Sequence, residues 1–145
     1  MSISIQCRKT KREIEIGYNG FRLLRIKIAE LLGEPISSLY KELIDSQIVS
    51  ISKDKRDAIW EDFNKKTDGL IKEHKVSAKV IRFLLESDCE GRITSNTCKL
   101  LLKVIGDYDN SFICGYAGKE NPVRFSDFKA ILQECVKYNC DMVWY

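Results

Sequence analysis

The sequence predicts an α+β fold in which a small antiparallel sheet, made of an N-terminal hairpin and a C-terminal strand, packs against several helices. Apolar and polar residues alternate over 3–7, 13–16 and 140–145, which is the period of half-buried strands. Between these segments, apolar residues recur every three or four positions, which is the spacing of amphipathic helices. A length of 145 residues predicts a single domain over 1–145.

The connection of the predicted hairpin is strongly basic. Its cations are Arg8, Lys9, Lys11 and Arg12. Such a cluster can bind phosphate groups, because it releases condensed counterions, or it can be a solvated tip that discourages pairing at the sheet edge. No motif of a nucleic-acid reader surrounds it, so nucleic acid is the weaker of the partner hypotheses.

A first helix is predicted over 20–32, with Asn19 as its N-cap and Gly33 as its C-terminal stop. Arg22 and Arg25 add charge to this helix. Residues 8–27 are therefore the most basic region of the chain and an alternative site for a ligand or a phosphate group.

Two further helices are predicted over 36–48 and from Ser52, as the N-cap, to Ile71. Asp followed by Gly at 68–69 could interrupt the second of them. The charged positions between 53 and 75 are typical of a solvated helix face. Trp60 lies outside the apolar stripe, so it either packs at the edge of the core or anchors a partner.

Residues 76–105 predict two helices joined by a sharp acidic turn, because the helical spacing breaks over 87–92 and resumes at Cys98. Gly91 is expected to supply a positive φ in this turn. Thr94 or Ser95 is expected to cap the following helix.

The same turn matches part of a calcium-binding loop. With Gly91 at the sixth position, Glu86, Asp88 and Glu90 occupy the first, third and fifth. The twelfth position is Thr97, which cannot supply two carboxylate oxygens. The sequence therefore predicts no metal in this turn.

Residues 106–122 predict a long connection with a short strand at 112–116. Ser126 is expected to cap a last helix, whose apolar positions from 128 to 136 form a clear helical stripe. The strand that follows is expected to pair with the N-terminal hairpin.

Six cysteines would suggest disulfides in a secreted chain. The N-terminus lacks a basic start followed by an apolar run, so we expect a cytoplasmic protein with reduced thiols and no membrane partner. Cys98 and Cys135 lie on apolar helical stripes, where a thiol behaves as a small hydrophobe. Cys135 and Cys140 straddle a predicted helix end and His74 is the single histidine, so neither a zinc site nor another cofactor is predicted.

No catalytic residue is predicted. Cys89, the thiol in the acidic turn, is flanked by Asp88 and Glu90, whose charge opposes a reactive thiolate. Glycine-rich loops for phosphate and serine nucleophile elbows are absent from the sequence.

Part of the chain resembles a family of small uncharacterised bacterial and phage proteins. The resemblance rests on residues 83–91, which end in Ser-Asp-Cys-Glu-Gly, on Cys98, and on the cysteine-bearing last helix with its apolar strand. It covers residues 76–145 and has a weaker counterpart at 17–21. Relatives often carry histidine where this chain has Glu86. The resemblance implies a bacterial or phage setting and no assigned activity.

Together these observations predict a non-catalytic cytoplasmic binding protein that acts on a protein partner, as an immunity, inhibitor or host-interaction factor. Its partner-binding surface is expected at Asp88 and Glu90. The alternative is a small-ligand or nucleotide-binding protein, with or without hydrolytic activity, that uses residues 8–27 and 106–122. A pocket lined by Arg22 or Arg25 with aromatic residues would favour the ligand; a flat exposed apolar patch would favour the protein partner.

Overall fold

The computed structural model describes residues 2–48, 52–72, 77–87, 89–108, 111–117 and 121–145. The strands in these ranges are β1 (Ser2–Cys7), β2 (Glu13–Gly17), β3 (Gly91–Ile93), β4 (Ile113–Ala117), β5 (Asn121–Arg124) and β6 (Met142–Trp144). The helices are α1 (Tyr18–Leu32), α2 (Ile36–Ile48), α3 (Lys53–Lys72), α4 (Ala78–Leu85), α5 (Ser95–Ile105) and α6 (Phe125–Lys137).

The main sheet has the strand order β2-β1-β6-β3, and all its neighbouring strands are antiparallel. In the N-terminal hairpin Ile3 pairs with Ile16, so the alternating apolar residues of both strands share one face. The C-terminal strand β6 pairs with β1, where Ile5 lies opposite Trp144. The predicted α+β fold, with a hairpin and a C-terminal strand packed against helices, is confirmed.

Strand β3 was not predicted, because its three residues were assigned to the turn between two helices. Gly91 does not have the expected positive φ; Gly33 and Gly106 are the described glycines that do. Gly91 instead pairs with Trp144 across the sheet, and a Cβ atom there would lie 2.3 Å from Cζ2 of the indole. Glycine is therefore required at this position by the close approach of a ring.

A second hairpin occupies much of the segment that was predicted as a long connection. β4 contains most of the predicted short strand, and it pairs with β5, which was not predicted. Phe112 packs at the base of this hairpin, with its ring 5.2 Å from that of Phe125 and 6.0 Å from that of Tyr108.

Several helix ends differ from the predicted ones. α1 begins at Tyr18, after Gly17, so Asn19 lies inside the first turn and is not the N-cap. α3 continues through Gly69 without a break. α6 begins at Phe125, and the carboxylate of Asp127 accepts the backbone N–H of Arg124, so the predicted cap at Ser126 is wrong.

Other ends agree with the prediction. Gly33 ends α1 with a φ of 83°, a conformation that glycine adopts without steric cost. The Ser52 hydroxyl accepts the N–H of Lys55 at 3.4 Å at the start of α3. Thr94, not Ser95, caps α5, because its hydroxyl accepts the N–H of Thr97.

The core lies between the sheet and the helices, and its centre is aromatic. The ring of Trp144 lies 5.7 Å from that of Phe21 and 5.8 Å from that of Phe83. Phe83 also stacks on Phe128. Aromatic residues from α1, α4, α6 and β6 therefore pack against one another at the centre of the core. Within the described part of the chain, no helix has the length and apolar character that crossing a membrane requires.

Candidate functional site

A cavity of about 210 Å³ opens among α1, α2, α3 and the end of α4. We call it the helical cavity. Its polar and aromatic wall consists of Arg22, Arg25, Tyr40, Trp60, Glu86 and Ser87. Leucine and isoleucine side chains of α2 and α4 complete it. Two arginines and two aromatic residues therefore face one space, although they lie far apart in the sequence.

Arg25 forms a fixed part of this wall. Its side chain is only 2% exposed, and its guanidinium donates to the carbonyl oxygens of Glu86 at 2.8 Å and Ser87 at 3.4 Å. The guanidinium carbon also lies 4.1 Å from the centre of the Phe21 ring, in the range of a cation–π contact. Arg25 thus ties α1 to the segment after α4 and brings a positive charge to the cavity.

The other polar and aromatic residues of the wall differ from one another in burial and charge. Tyr40 is buried, and its hydroxyl donates to the carbonyl of Leu84 at 3.2 Å. Trp60 is half-buried against the core. Glu86 pairs with Arg82 at 3.5 Å. No ion pair joins Arg22 to another residue that the structure describes. Its guanidinium can therefore donate hydrogen bonds to an anionic ligand.

A second group of side chains brings the thiol of Cys7 to those of Cys135 and Cys140, which lie near the other end of the chain. The Sγ atoms of Cys7, Cys135 and Cys140 all lie within 4.8 Å of one another. Cys7 ends β1, Cys135 lies on α6 and Cys140 precedes β6. The Sγ atoms of Cys7 and Cys140 are 3.4 Å apart. Cys98 of α5 lies beside Cys135, and we call these four residues the thiol cluster.

The acidity of the cluster is uneven. Burial raises the pKa of Cys7, but the polar groups of the hairpin tip, first those of Thr10, together with the thiol of Cys140 outweigh it, and the pKa falls to about 7. Burial raises the pKa of Cys140 to about 11. The thiol contact with Cys98, and then burial, raise the pKa of Cys135. Cys7 is therefore the thiol that ionises near neutral pH, with the S–H group of Cys140 beside it.

The acidic turn is described only in part. Asp88, one of the two residues predicted to bind a protein partner, lies outside the described residues, as does His74. Glu90 and Cys89 are exposed, and the backbone N–H of Cys89 donates to the Ser87 hydroxyl at 3.1 Å. The partner-binding surface at this turn stays a prediction.

The basic residues that were grouped over 8–27 fall into two places. Arg22 and Arg25 line the helical cavity, whereas the hairpin tip, residues 8–12, packs near α6. At the tip, Arg12 pairs with Glu134 at 3.0 Å. The Thr10 hydroxyl first, and Arg12 second, lower the pKa of the Glu134 carboxyl. The exposed Arg8, Lys9 and Lys11 belong to this tip and do not line the cavity.

Sequence reasoning did not find either assembly. Trp60 was singled out because it left the apolar stripe, and that signal does mark a wall of the cavity. Tyr40 was not singled out. The four-residue separation of Cys135 and Cys140 is a local signal for the thiol cluster, although the pair straddles the predicted helix end. Cys7 gave no such signal, since it lies 133 residues from Cys140.

Comparison of the chain with protein-family models, with curated proteins and with solved structures finds no significant match. The resemblance of residues 76–145 to small bacterial and phage proteins stays a prediction.

Proposed function

We propose that this chain is a cytoplasmic binding protein whose ligand is a small molecule with an anionic group and an apolar body. The observation that carries the proposal is the meeting of Arg22, Arg25, Tyr40 and Trp60 around one cavity. Ligand sites are typically apolar clefts with a few polar groups that fix orientation, and the helical cavity has that composition.

Charge favours an anion as the ligand's polar end. Arg22 and Arg25 contribute two cations to the wall, and the carboxylate of Glu86 is already paired with Arg82. A guanidinium donates two parallel hydrogen bonds to a carboxylate or phosphate group, which sets direction as well as affinity. Trp60 and the aliphatic side chains of α2 offer surface for the apolar end.

Size limits the ligand. At about 210 Å³ the helical cavity is below the range of roughly 300–1,000 Å³ that suits drug-sized molecules. An aromatic or aliphatic acid, or a small phosphate ester, is therefore a better candidate than a dinucleotide. Because Glu86 is paired, we propose binding and assign no catalytic residue.

A flat exposed apolar patch would favour the protein-partner hypothesis. The large exposed apolar side chains among the described residues lie on separate elements, namely Leu23 on α1, Ile113 on β4, and Tyr138 and Tyr145 near the C-terminus. Single exposed apolar residues are normal on a protein surface. The cavity therefore supports a small-molecule ligand better than the surface supports a protein partner. A bacterial or phage origin of the chain stays a prediction.

Fluorescence titration tests the proposal, because one of the two tryptophans, Trp60, lines the cavity. Phenyl phosphate and benzoate serve as anionic probes, and benzyl alcohol serves as the neutral probe. We expect the anionic probes to change the emission with saturation and the neutral one to bind at least about tenfold more weakly, since it cannot pair with a guanidinium. Equal responses to all three probes, or none at millimolar concentration, would refute the proposal.

Two variants locate the binding. Arg22→Gln removes a cation that forms no ion pair with any residue the structure describes, and it is expected to weaken binding of phenyl phosphate by about tenfold or more. Arg12→Gln removes the same charge from the hairpin tip and should leave binding unchanged. A pull-down with wild-type protein and Glu90→Lys tests the alternative: a protein that is retained by the wild type and lost from Glu90→Lys would favour a protein partner.

A further inference from the structure

We propose that the thiol cluster is a metal site, in which Cys7, Cys135 and Cys140 bind one Zn²⁺ ion as thiolates and a water molecule takes the fourth position. The proposal is independent of the helical cavity. It rests on the mutual distances of three sulfur atoms contributed by three different parts of the chain.

The distances fit a thiolate-bound ion. Tetrahedral zinc with bonds of about 2.3 Å to sulfur holds its sulfur atoms roughly 3.8 Å apart. The Sγ atoms of Cys7 and Cys140 are 3.4 Å apart, and Cys135 lies within 4.8 Å of both. Small side-chain rotations would therefore close the three sulfurs around an ion.

The surroundings favour thiolates. The hairpin tip brings the cations of Arg8, Lys9 and Lys11 next to Cys7 in the sequence. Three thiolates around Zn²⁺ carry a net charge of −1, so nearby cations offset the cost of holding that charge.

Packing alone would explain Cys7, Cys98 and Cys135, which are fully buried, as a small hydrophobe would be. Cys140, however, is half-buried, which leaves a route for an ion to enter. The cluster also joins β1 to α5, α6 and the segment before β6, so a bound ion would hold the N-terminal strand to the C-terminal part of the chain.

The test uses the full chain, reduced with a phosphine and freed of metal with a chelator. Titration with Co²⁺ should give the visible and near-ultraviolet absorption of tetrahedral thiolate coordination, with a break at one ion per chain. Zn²⁺ should displace the Co²⁺ and raise the melting temperature, because an ion that binds only the folded chain stabilises it.

Cys140→Ala is the decisive variant, since its side chain lies at the edge of the core and its loss is the least disruptive to packing. We expect it to keep its circular dichroism spectrum and to bind Zn²⁺ roughly a hundredfold more weakly than the wild type. The matched control is Cys89→Ala, which changes an exposed thiol in the acidic turn and should bind as the wild type does.

Three outcomes would overturn the proposal. One is a reduced wild-type chain that shows no thiolate absorption with Co²⁺ and no shift in melting temperature with Zn²⁺. Another is a Cys140→Ala variant that binds Zn²⁺ as tightly as the wild type. The third is a Cys7–Cys140 disulfide, found by mass spectrometry, that forms in air and is not prevented by Zn²⁺.

Discussion

Gly91 lies directly opposite Trp144 in the sheet, and a Cβ atom at Gly91 would stand 2.3 Å from Cζ2 and 2.6 Å from Cε2 of the indole. The indole cannot move away freely. It is 1% exposed, packs against Phe21 and Phe83, and donates from its ring nitrogen to the carbonyl of Ser87 at 3.0 Å. The glycine and the tryptophan therefore fix β3 at the edge of the sheet.

Gly91→Ala is expected to lower the free energy of unfolding by about 2–3 kcal/mol, because an extra methyl group in a packed core forces shifts of ring and backbone. Urea denaturation of both proteins measures the difference. Gly69→Ala is the matched control: a Cβ atom at Gly69 in α3 meets nothing within 4 Å, so alanine should stabilise the chain by about 0.5–1 kcal/mol. A Gly91→Ala protein as stable as the wild type would show that the indole is not fixed.

The cap of α5 gives a second prediction. The Thr94 hydroxyl accepts the N–H of Thr97, and loss of such a cap costs about 1 kcal/mol. Thr94→Ala should therefore lower the unfolding free energy by about that amount. Ser126→Ala, at the position where the sequence wrongly predicted a cap, should change it by less than about 0.5 kcal/mol. Equal effects of the two substitutions would contradict the assignment.

Arg25 gives a third prediction, which concerns shape more than charge. Lysine keeps the charge but cannot donate to two carbonyl oxygens from one plane or stack on the Phe21 ring as a guanidinium does. We expect Arg25→Lys to lower the unfolding free energy by about 1–3 kcal/mol, since the half-buried carbonyl of Glu86 loses its donor, whereas that of Ser87 keeps the indole N–H of Trp144. Arg22→Lys, one turn away on α1, should be neutral within about 0.5 kcal/mol. Thermal and urea unfolding of the two variants compare them directly.

The sequence predicted those parts of the fold whose signal is periodic and local. The alternation of Ile3 and Ile5 with polar neighbours predicted β1, and the confirmed pairing of β6 with β1 followed from a second alternation at the other end of the chain. Strand β3 has only three residues, too few for an alternating period. Its existence depends on Trp144, which is distant in the sequence.

The candidate sites could not be predicted because they are tertiary. Arg25 was grouped with the basic residues over 8–27, yet it is buried, where three aromatic rings lie within cation–π distance and two carbonyl oxygens accept its hydrogen bonds. Its i, i+4 neighbours Phe21 and Ala29 are buried on the same face of α1, and that placement was the available signal. The convergence of Cys7 on Cys135 and Cys140 follows from the pairing of β1 with β6, which no ligand spacing encodes.

Glu30 gives a prediction for pH. Hydrogen bonds from Lys27 at 2.7 Å and from Lys41, whose Nζ lies at 3.0 Å, lower the pKa of its carboxyl below 4.5, and the Lys27 pKa is raised above 10.5 mainly by the same contact. A carboxyl with a lowered pKa in the folded state contributes stability above its unfolded pKa, and that stability is lost as the pH falls through the folded value. The lysine contributes below its unfolded pKa and loses its share above it.

Glu30→Gln should therefore be less stable than the wild type between about pH 5 and pH 10, by no more than about 1 kcal/mol, because the pair is partly exposed. The difference should shrink below pH 4, when the wild-type carboxyl is protonated, and also in high salt. Glu42→Gln makes the same charge change at an exposed position of α2 that has no ion pair with the described residues, so its unfolding free energy should stay within about 0.5 kcal/mol of the wild type. Urea unfolding of the three proteins at several pH values measures these differences. A Glu30→Gln deficit that persists unchanged at pH 3 would mean that packing, and not the ion pairs, accounts for the loss.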